Sequence, residues 1–238
     1  MSKPDLVVIV EGQTEVSSLK RTVGQYLYDH TGCEAIFAAI GKTGADKGGH
    51  KSFEIFINQI QMFAKQYPGV YISTFFDYYG FNPRWKEFEA LKKAALKKGD
   101  DIIKTIGQLE ELMAMKVLGA VGISLREGHF LPYIQLHELE ALLFADTDIL
   151  GEELQPLADS ANLKQEFMTI RTEFDNCEMI NDSPLTAPSK RIEKLARYVK
   201  GKSARSQAGP IMEKIGLLKI RQACPRFDQW IKTLEGLK

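Results

Sequence analysis

Acidic side chains close three apolar segments of this sequence, and acids so placed can hold a divalent cation. Glu11 follows Leu6–Val10, Asp77 follows Val70–Phe76, and Glu138 and Glu140 follow Phe130–Leu136. Ligands of open parallel sheets sit beyond the carboxyl ends of the strands, so all four acids fall where a ligand would bind. Glu15, four residues past Glu11, enters the first turn of the next helix and can face the same crevice. Gly12 permits a tight strand-to-helix turn there. Oxygen donors of this kind suit Mg²⁺ or Mn²⁺, which neutralise phosphate charge and lower the pKa of a bound water. Taken singly, each acid has a plainer use. Glu15 could complement a helix dipole, Asp77 could open a turn, and Glu138 and Glu140 could be the solvated start of a helix. Their convergence on one sheet edge favours a metal site.

The elements that would position these acids follow from hydrophobic patterning. Leu6–Val10 is a continuous β-branched run, as expected of a strand buried on both faces of a parallel sheet. Val16, Leu19, Val23 and Leu27 then recur at helical spacing. Ala35 to Ile40 reads as the second strand. After the glycine- and lysine-rich stretch 41–51, Ser52 is suited to cap a helix bearing Phe53, Phe56, Ile57, Ile60 and Phe63. Val70 to Phe76 is the third strand and Phe130 to Leu136 the fourth, leading into a helix start at Glu138. Residues from about 83 to 115 read as a Lys-rich helical insertion, and from Ile149 onward the pattern is helical. Alternating strands and helices predict an α/β fold with a parallel-sheet core flanked by helices. The simplest division is one domain over 1–238, with an α/β core to 148 and a helical C-terminal region over 149–238.

Bulk properties narrow the function classes. With 44% hydrophobic and 26% charged residues, the chain is ordinary for a globular protein. No apolar run approaches the roughly 18 residues of a membrane span, and the N-terminus lacks the pattern of a signal peptide. The three cysteines, Cys33, Cys177 and Cys224, are scattered without a CxxC spacing, which predicts reduced thiols in a cytoplasmic protein. A net charge of zero excludes whole-molecule electrostatic attraction to nucleic acid, so such binding needs a local basic patch.

Several motifs fail on inspection. Gly41-Lys42-Thr43 suggests a P-loop, yet the first glycine of that pattern, five residues before Gly41, is replaced by Ile36. His137-Glu138-Leu139-Glu140-Ala141 lacks the second histidine of HExxH. Neither Ser183, Ser189 nor any cysteine sits in a nucleophile elbow. Lys42, Lys47, His50 and Lys51 read equally as phosphate contacts or as a solvated loop. The same two readings stand for Lys92, Lys93, Lys97 and Lys98 in the insertion. Tyr78 and Tyr79 are core residues or a stacking surface for a base, and Trp85 and Trp230 are packing anchors.

The stretch Val10-Glu11-Gly12-Gln13-Thr14-Glu15 resembles the first motif of Toprim domains, especially those of overcoming-lysogenization-defect (OLD) type nucleases. Nearly the whole chain resembles a bacterial domain-of-unknown-function family, numbered 4276, related to Toprim. The matching stretches are that motif, Phe76-Asp77-Tyr78-Tyr79-Gly80, Pro132 to Asp146, Ala187-Pro188-Ser189-Lys190-Arg191, and Ile215-Gly216-Leu217 through Cys224-Pro225. The resemblance implies a Toprim-like fold and Mg²⁺- or Mn²⁺-dependent cleavage of nucleic acid, DNA ahead of RNA. It implies Glu11 as acid/base or metal ligand and Asp77 as the first aspartate of the DxD motif. The second position of that motif is Tyr79, so Glu138 or Glu140 would replace the missing carboxylate. Glu15 would be a further ligand or proton shuttle, Lys190 the cationic stabiliser, and Lys190 and Arg191 nucleic-acid contacts. A separate ATPase partner in bacterial defence against phage is implied too, since this chain has no Walker motif. The alternative is a catalytically silent Toprim-like module that binds nucleic acid or regulates a partner.

Overall fold

Leu6–Val10 forms strand β1, and every one of its residues is buried, which is why the segment is apolar without alternation. The computed structural model describes residues 3–41, 52–79, 85–122, 125–181, 185–198 and 204–237. These residues group into two units, Met1–Gly12 with Cys33–Ile134, and Gln13–Gly32 with Gln135–Lys238.

In the first unit β1 lies between β2 (Ala35–Ala39) and β3 (Tyr71–Asp77), both parallel to it, with Val10 level with Ala39 and with Phe75. β4 (Phe130–Leu131) adds to the far side of β3, giving the order β2-β1-β3-β4, and β5 (Ile134–Gln135) pairs β3 where the chain leaves this unit. The single strand expected over 130–136 is thus split. Pro132 has no N–H to give to the ladder, and side chains of β3 take over. Ser73 donates to the Leu131 carbonyl at 2.6 Å, while Thr74 donates to the Tyr133 carbonyl at 2.9 Å and accepts its N–H at 2.8 Å.

Helix α3 (Phe53–Gln66) is capped by Ser52, whose hydroxyl accepts the Ile55 N–H at 3.3 Å. Its buried face carries Phe56, Ile57, Ile60 and Phe63. The Lys-rich insertion is a helical pair, α4 (Lys86–Lys98) and α5 (Ile102–Val121), longer than the 83–115 span expected. Trp85 anchors it, packing edge-on to Phe53 at 4.8 Å and against Phe56 at 5.1 Å between ring centres.

The second unit is helical. It contains α1 (Gln13–Leu19), a π-helical turn at Lys20–Gly24, α2 (Gln25–Thr31), and a 3₁₀ segment at Leu139–Ala145 in place of the ordinary helix start expected there. α6 (Thr147–Leu154), α7 (Leu163–Thr172), α8 (Pro188–Leu195), α9 (Ala204–Ile215), α10 (Leu217–Ala223) and α11 (Pro225–Glu235) follow. The first two helices pack with the last ones. A Cβ added at Gly209 of α9 would lie 3.5 Å from the Ser18 backbone of α1, and Tyr26 of α2 donates to Glu235 of α11 at 2.7 Å. Arg221 joins that contact, pairing with Asp228 and Glu235 at 2.6 and 2.5 Å. All three cysteines are buried and none is in a disulfide, and burial pushes the Cys33 thiol up to about 11. No helix among the described residues is long and apolar enough to cross a membrane.

One buried carboxylate in this unit is committed to structure. Glu178 accepts the N–H groups of Arg226 and Phe227, at 2.8 and 3.1 Å, in the first turn of α11. Burial still raises its pKa, because desolvation outweighs those bonds. Glu178→Ala would strip two buried donors of their acceptor, at about 1–3 kcal/mol each. We expect a loss of about 2–4 kcal/mol in urea unfolding, with Glu178→Gln recovering part of it.

Candidate functional site

In the first unit, parallel register delivers two acids to one edge. Val10 and Phe75 are level, so Glu11 leaves β1 where β3 reaches Phe76 and Asp77. The Asp77 N–H donates to Glu11 Oε1 at 3.0 Å, which fixes the Glu11 carboxylate against the end of β3. Asp77 is itself buried. Tyr79, at the second position of the DxD-like stretch, lies half-buried in the turn after β3, its ring 5.8 Å from that of Tyr78.

A lysine arrives at the same edge from α4. Lys92 Nζ donates to the Tyr78 carbonyl at 3.0 Å and lies 4.4 Å from the centre of the Tyr78 ring. Burial lowers the pKa of its ammonium, while the carboxylates of Glu89 and Glu11 act in the opposite sense. The Tyr78 phenol is pushed up, chiefly by burial and then by Tyr79 and Glu89. The signal for Lys92 was present in its spacing. Phe88, Lys92 and Ala95 recur at i, i+4 and i+7, and both Phe88 and Ala95 are buried, so Lys92 belongs to the inward stripe of α4.

The second unit gathers a different set. Glu15, Glu138 and Glu140 are buried and all act on Tyr198. The Tyr198 hydroxyl donates to Glu140 Oε1 at 3.2 Å. Burial first, and then Glu140, Glu138 and Glu15, hold this phenol far above its ordinary range. Glu138 Oε2 accepts the Ser189 N–H at 3.0 Å, so it caps the start of α8. Among the described residues, the buried Ser189 hydroxyl has no hydrogen-bond partner. Tyr198 and Ser189 were not distinguished by patterning, because the contacts that matter come from residues 50 or more positions away.

His137, beside Glu138, is the non-glycine residue at positive φ among the described residues, at 67°. Left-handed backbone costs roughly 1–2 kcal/mol for such a residue, and strain of this kind clusters at functional edges. Burial lowers its pKa from 6.5 to about 4, with Glu138 opposing the shift, so the ring is neutral at ordinary pH. The unfolded chain therefore takes up the proton first as pH falls. Stability owed to neutral His137 is complete above pH 6.5, drains away between 6.5 and about 4, and changes no further below that. The expected loss is about 3 kcal/mol. His137→Asn, which tolerates this φ, should flatten that part of the urea-midpoint profile, and a variant retaining the full wild-type fall would contradict the assignment.

Lys190 is exposed and paired with Glu193 at 2.6 Å, a surface pair worth little. Arg191 is more committed, since its Nε donates to the Thr186 carbonyl at 2.9 Å and its guanidinium lies 5.1 Å from the Phe174 ring centre. Lys190, Lys194, Arg197 and Tyr198 line one cavity of about 870 Å³ in this unit. Lys42, Lys47 and Lys51 lie outside the described residues.

The residues present fit a hard divalent cation in part. Mg²⁺ keeps several waters and takes one or two protein carboxylates with substrate phosphates, and the Glu11–Asp77 edge offers that many. Among the described residues, no group of three or more His, Cys, Asp or Glu side chains is arranged to hold a metal ion.

Three solved structures of the C-terminal region of the OLD protein of Xanthomonas campestris pv. campestris are similar to this chain. The first is 16% identical over 96% of each chain, with a TM-score of 0.41. The second is 17% identical over 96% of this chain and 94% of that one, with a TM-score of 0.40. The third is 15% identical over 96% and 97%, also at 0.40. No curated protein matches. Residues 10–235 match the model of a domain of unknown function, DUF4276, and the chain belongs to that family.

Proposed function

We propose that this chain is a Mg²⁺- or Mn²⁺-dependent phosphodiester hydrolase of the Toprim type, acting on nucleic acid, DNA ahead of RNA, beside a separate ATPase in defence against phage. The observation that carries it is the meeting of Glu11 and Asp77 at the ends of β1 and β3, with the Asp77 N–H holding Glu11 Oε1 at 3.0 Å. A carboxylate fixed by a backbone donor is pre-oriented for a ligand, so little reorganisation is needed at the moment of reaction. A divalent cation bound there would supply charge neutralisation and a more acidic water. Glu11 and Asp77 would hold it. Glu138 and Glu140 are the further carboxylates the sequence motifs nominate as ligands, and Glu15 an added ligand or proton carrier. Lys190 is the cation nominated to stabilise developing charge, and its weak exposed pair with Glu193 leaves it easily exchanged.

The test is incubation of plasmid and single-stranded DNA with Mn²⁺, with and without an added ATPase partner. Metal-dependent cleavage by the wild type, abolished by chelation, is the expected result. A second reading is favoured by one observation, Tyr79 at the second position of the DxD-like stretch. In that reading the chain binds nucleic acid or regulates its partner without turnover, and salt-sensitive DNA binding would persist with no cleavage under any condition.

A further inference from the structure

The lysines of α4 differ in what they do. Lys93 is exposed and pairs with Glu89 at 3.5 Å on the same helix. Lys97 and Lys98 sit in the last turn before Gly99, where cations complement the helix dipole. Lys92 instead runs inward between Phe88 and Ala95 and delivers Nζ to the end of β3. Its ammonium donates to the Tyr78 carbonyl at 3.0 Å, faces the Tyr78 ring at 4.4 Å, and lies within electrostatic reach of Glu11. Taking an ammonium partly out of water is costly, and a helix that needed only solvation had exposed positions to put it in. An ammonium has three N–H groups and the carbonyl takes one. The edge it reaches carries the Glu11 and Asp77 carboxylates, which repel an anionic substrate unless cations offset them.

We propose that Lys92 binds a phosphate oxygen of the substrate beside Glu11 and Asp77, giving this edge its selectivity for phosphodiesters over neutral ligands. The role given to the two carboxylates rests on the hydrolase reading above; the charge delivered by Lys92 does not. The contact is electrostatic, with no proton or bond transferred. It differs from a surface backbone patch in being a single fixed charge, held by a carbonyl and an aromatic face at the strand ends.

Lys92→Met keeps the packed stem and removes the charge, Lys92→Gln can still donate to the Tyr78 carbonyl, and Lys92→Arg keeps the charge. Binding of a fluorescein-labelled single-stranded oligonucleotide is followed by anisotropy across a salt series, with Ca²⁺ replacing Mn²⁺, and Mn²⁺ binding is measured separately. Loss of one phosphate contact should make the slope of log K against log salt shallower by about 0.7 in the Met and Gln variants, with affinity down about tenfold. Lys92→Arg should retain the wild-type slope, and Mn²⁺ affinity should be undiminished in all three. A folded Met or Gln variant with the wild-type slope overturns the proposal, as does a wild type with no salt-dependent binding. Unfolding of both variants assigns Lys92 a structural role and overturns it too. A wild type that neither binds Mn²⁺ nor cleaves sinks the hydrolase reading alone, because the slope still reports Lys92.

Discussion

Glu11→Gln is expected to lower Mn²⁺-dependent cleavage by at least about 100-fold while leaving the fold intact. The substitution removes the negative charge but keeps an oxygen that can accept the Asp77 N–H, now made at 3.0 Å. Geometry at the end of β1 is therefore preserved, and what is lost is a hard, charged oxygen donor. An acid/base role is worth roughly 10²–10⁴ in rate. Because Glu11 is half-buried beside Lys92, the neutral variant also leaves that ammonium with one carboxylate fewer nearby. The check is initial-rate cleavage of plasmid, with a circular-dichroism melt run alongside. A rate within about threefold of the wild type would remove Glu11 from the chemistry.

Phe56→Ala should be the most destabilising single change in the first unit, at about 3–5 kcal/mol. Phe56 is fully buried, and its ring centre lies 5.8 Å from Phe53, 5.6 Å from Phe76, 5.1 Å from Trp85 and 6.3 Å from Phe130. Truncation would open a cavity lined by rigid rings that close in poorly. The effect reaches function through Phe76, which precedes Asp77 in β3. Urea unfolding measures the loss, and Phe56→Leu, which refills part of the volume, should recover much of it. A cost below about 1 kcal/mol would mean that the rings can repack around the void.

Much of the fold was readable because it is written in short-range pattern. Leu6–Val10 has no polar face to place, so it is a central strand, and Ser52 announces α3 by a local cap. Where chemistry at a distance decides, the pattern fell short. Pro132 divides the expected fourth strand because Ser73 and Thr74 can replace the ladder bonds it lacks, and nothing near Pro132 reveals that. Glu138 read in isolation as the solvated start of a helix, and in the structure it is buried and caps α8 through Ser189. Its neighbour Glu140 meets Tyr198, a partner 58 positions along the chain. Lys92 was hidden among other lysines, although its spacing from Phe88 and Ala95 distinguished it. The candidate acids stand out by type and by their place after strands, whereas their hydrogen-bond partners come from distant sequence.

The most direct measurement is a Mn²⁺ titration followed by electron paramagnetic resonance on the wild type, Glu11→Gln and Asp77→Asn. Saturable binding by the wild type, weakened at least about tenfold in each variant with the melting profile retained, is the predicted result. Equal Mn²⁺ binding by all three folded proteins would contradict a metal held by Glu11 and Asp77.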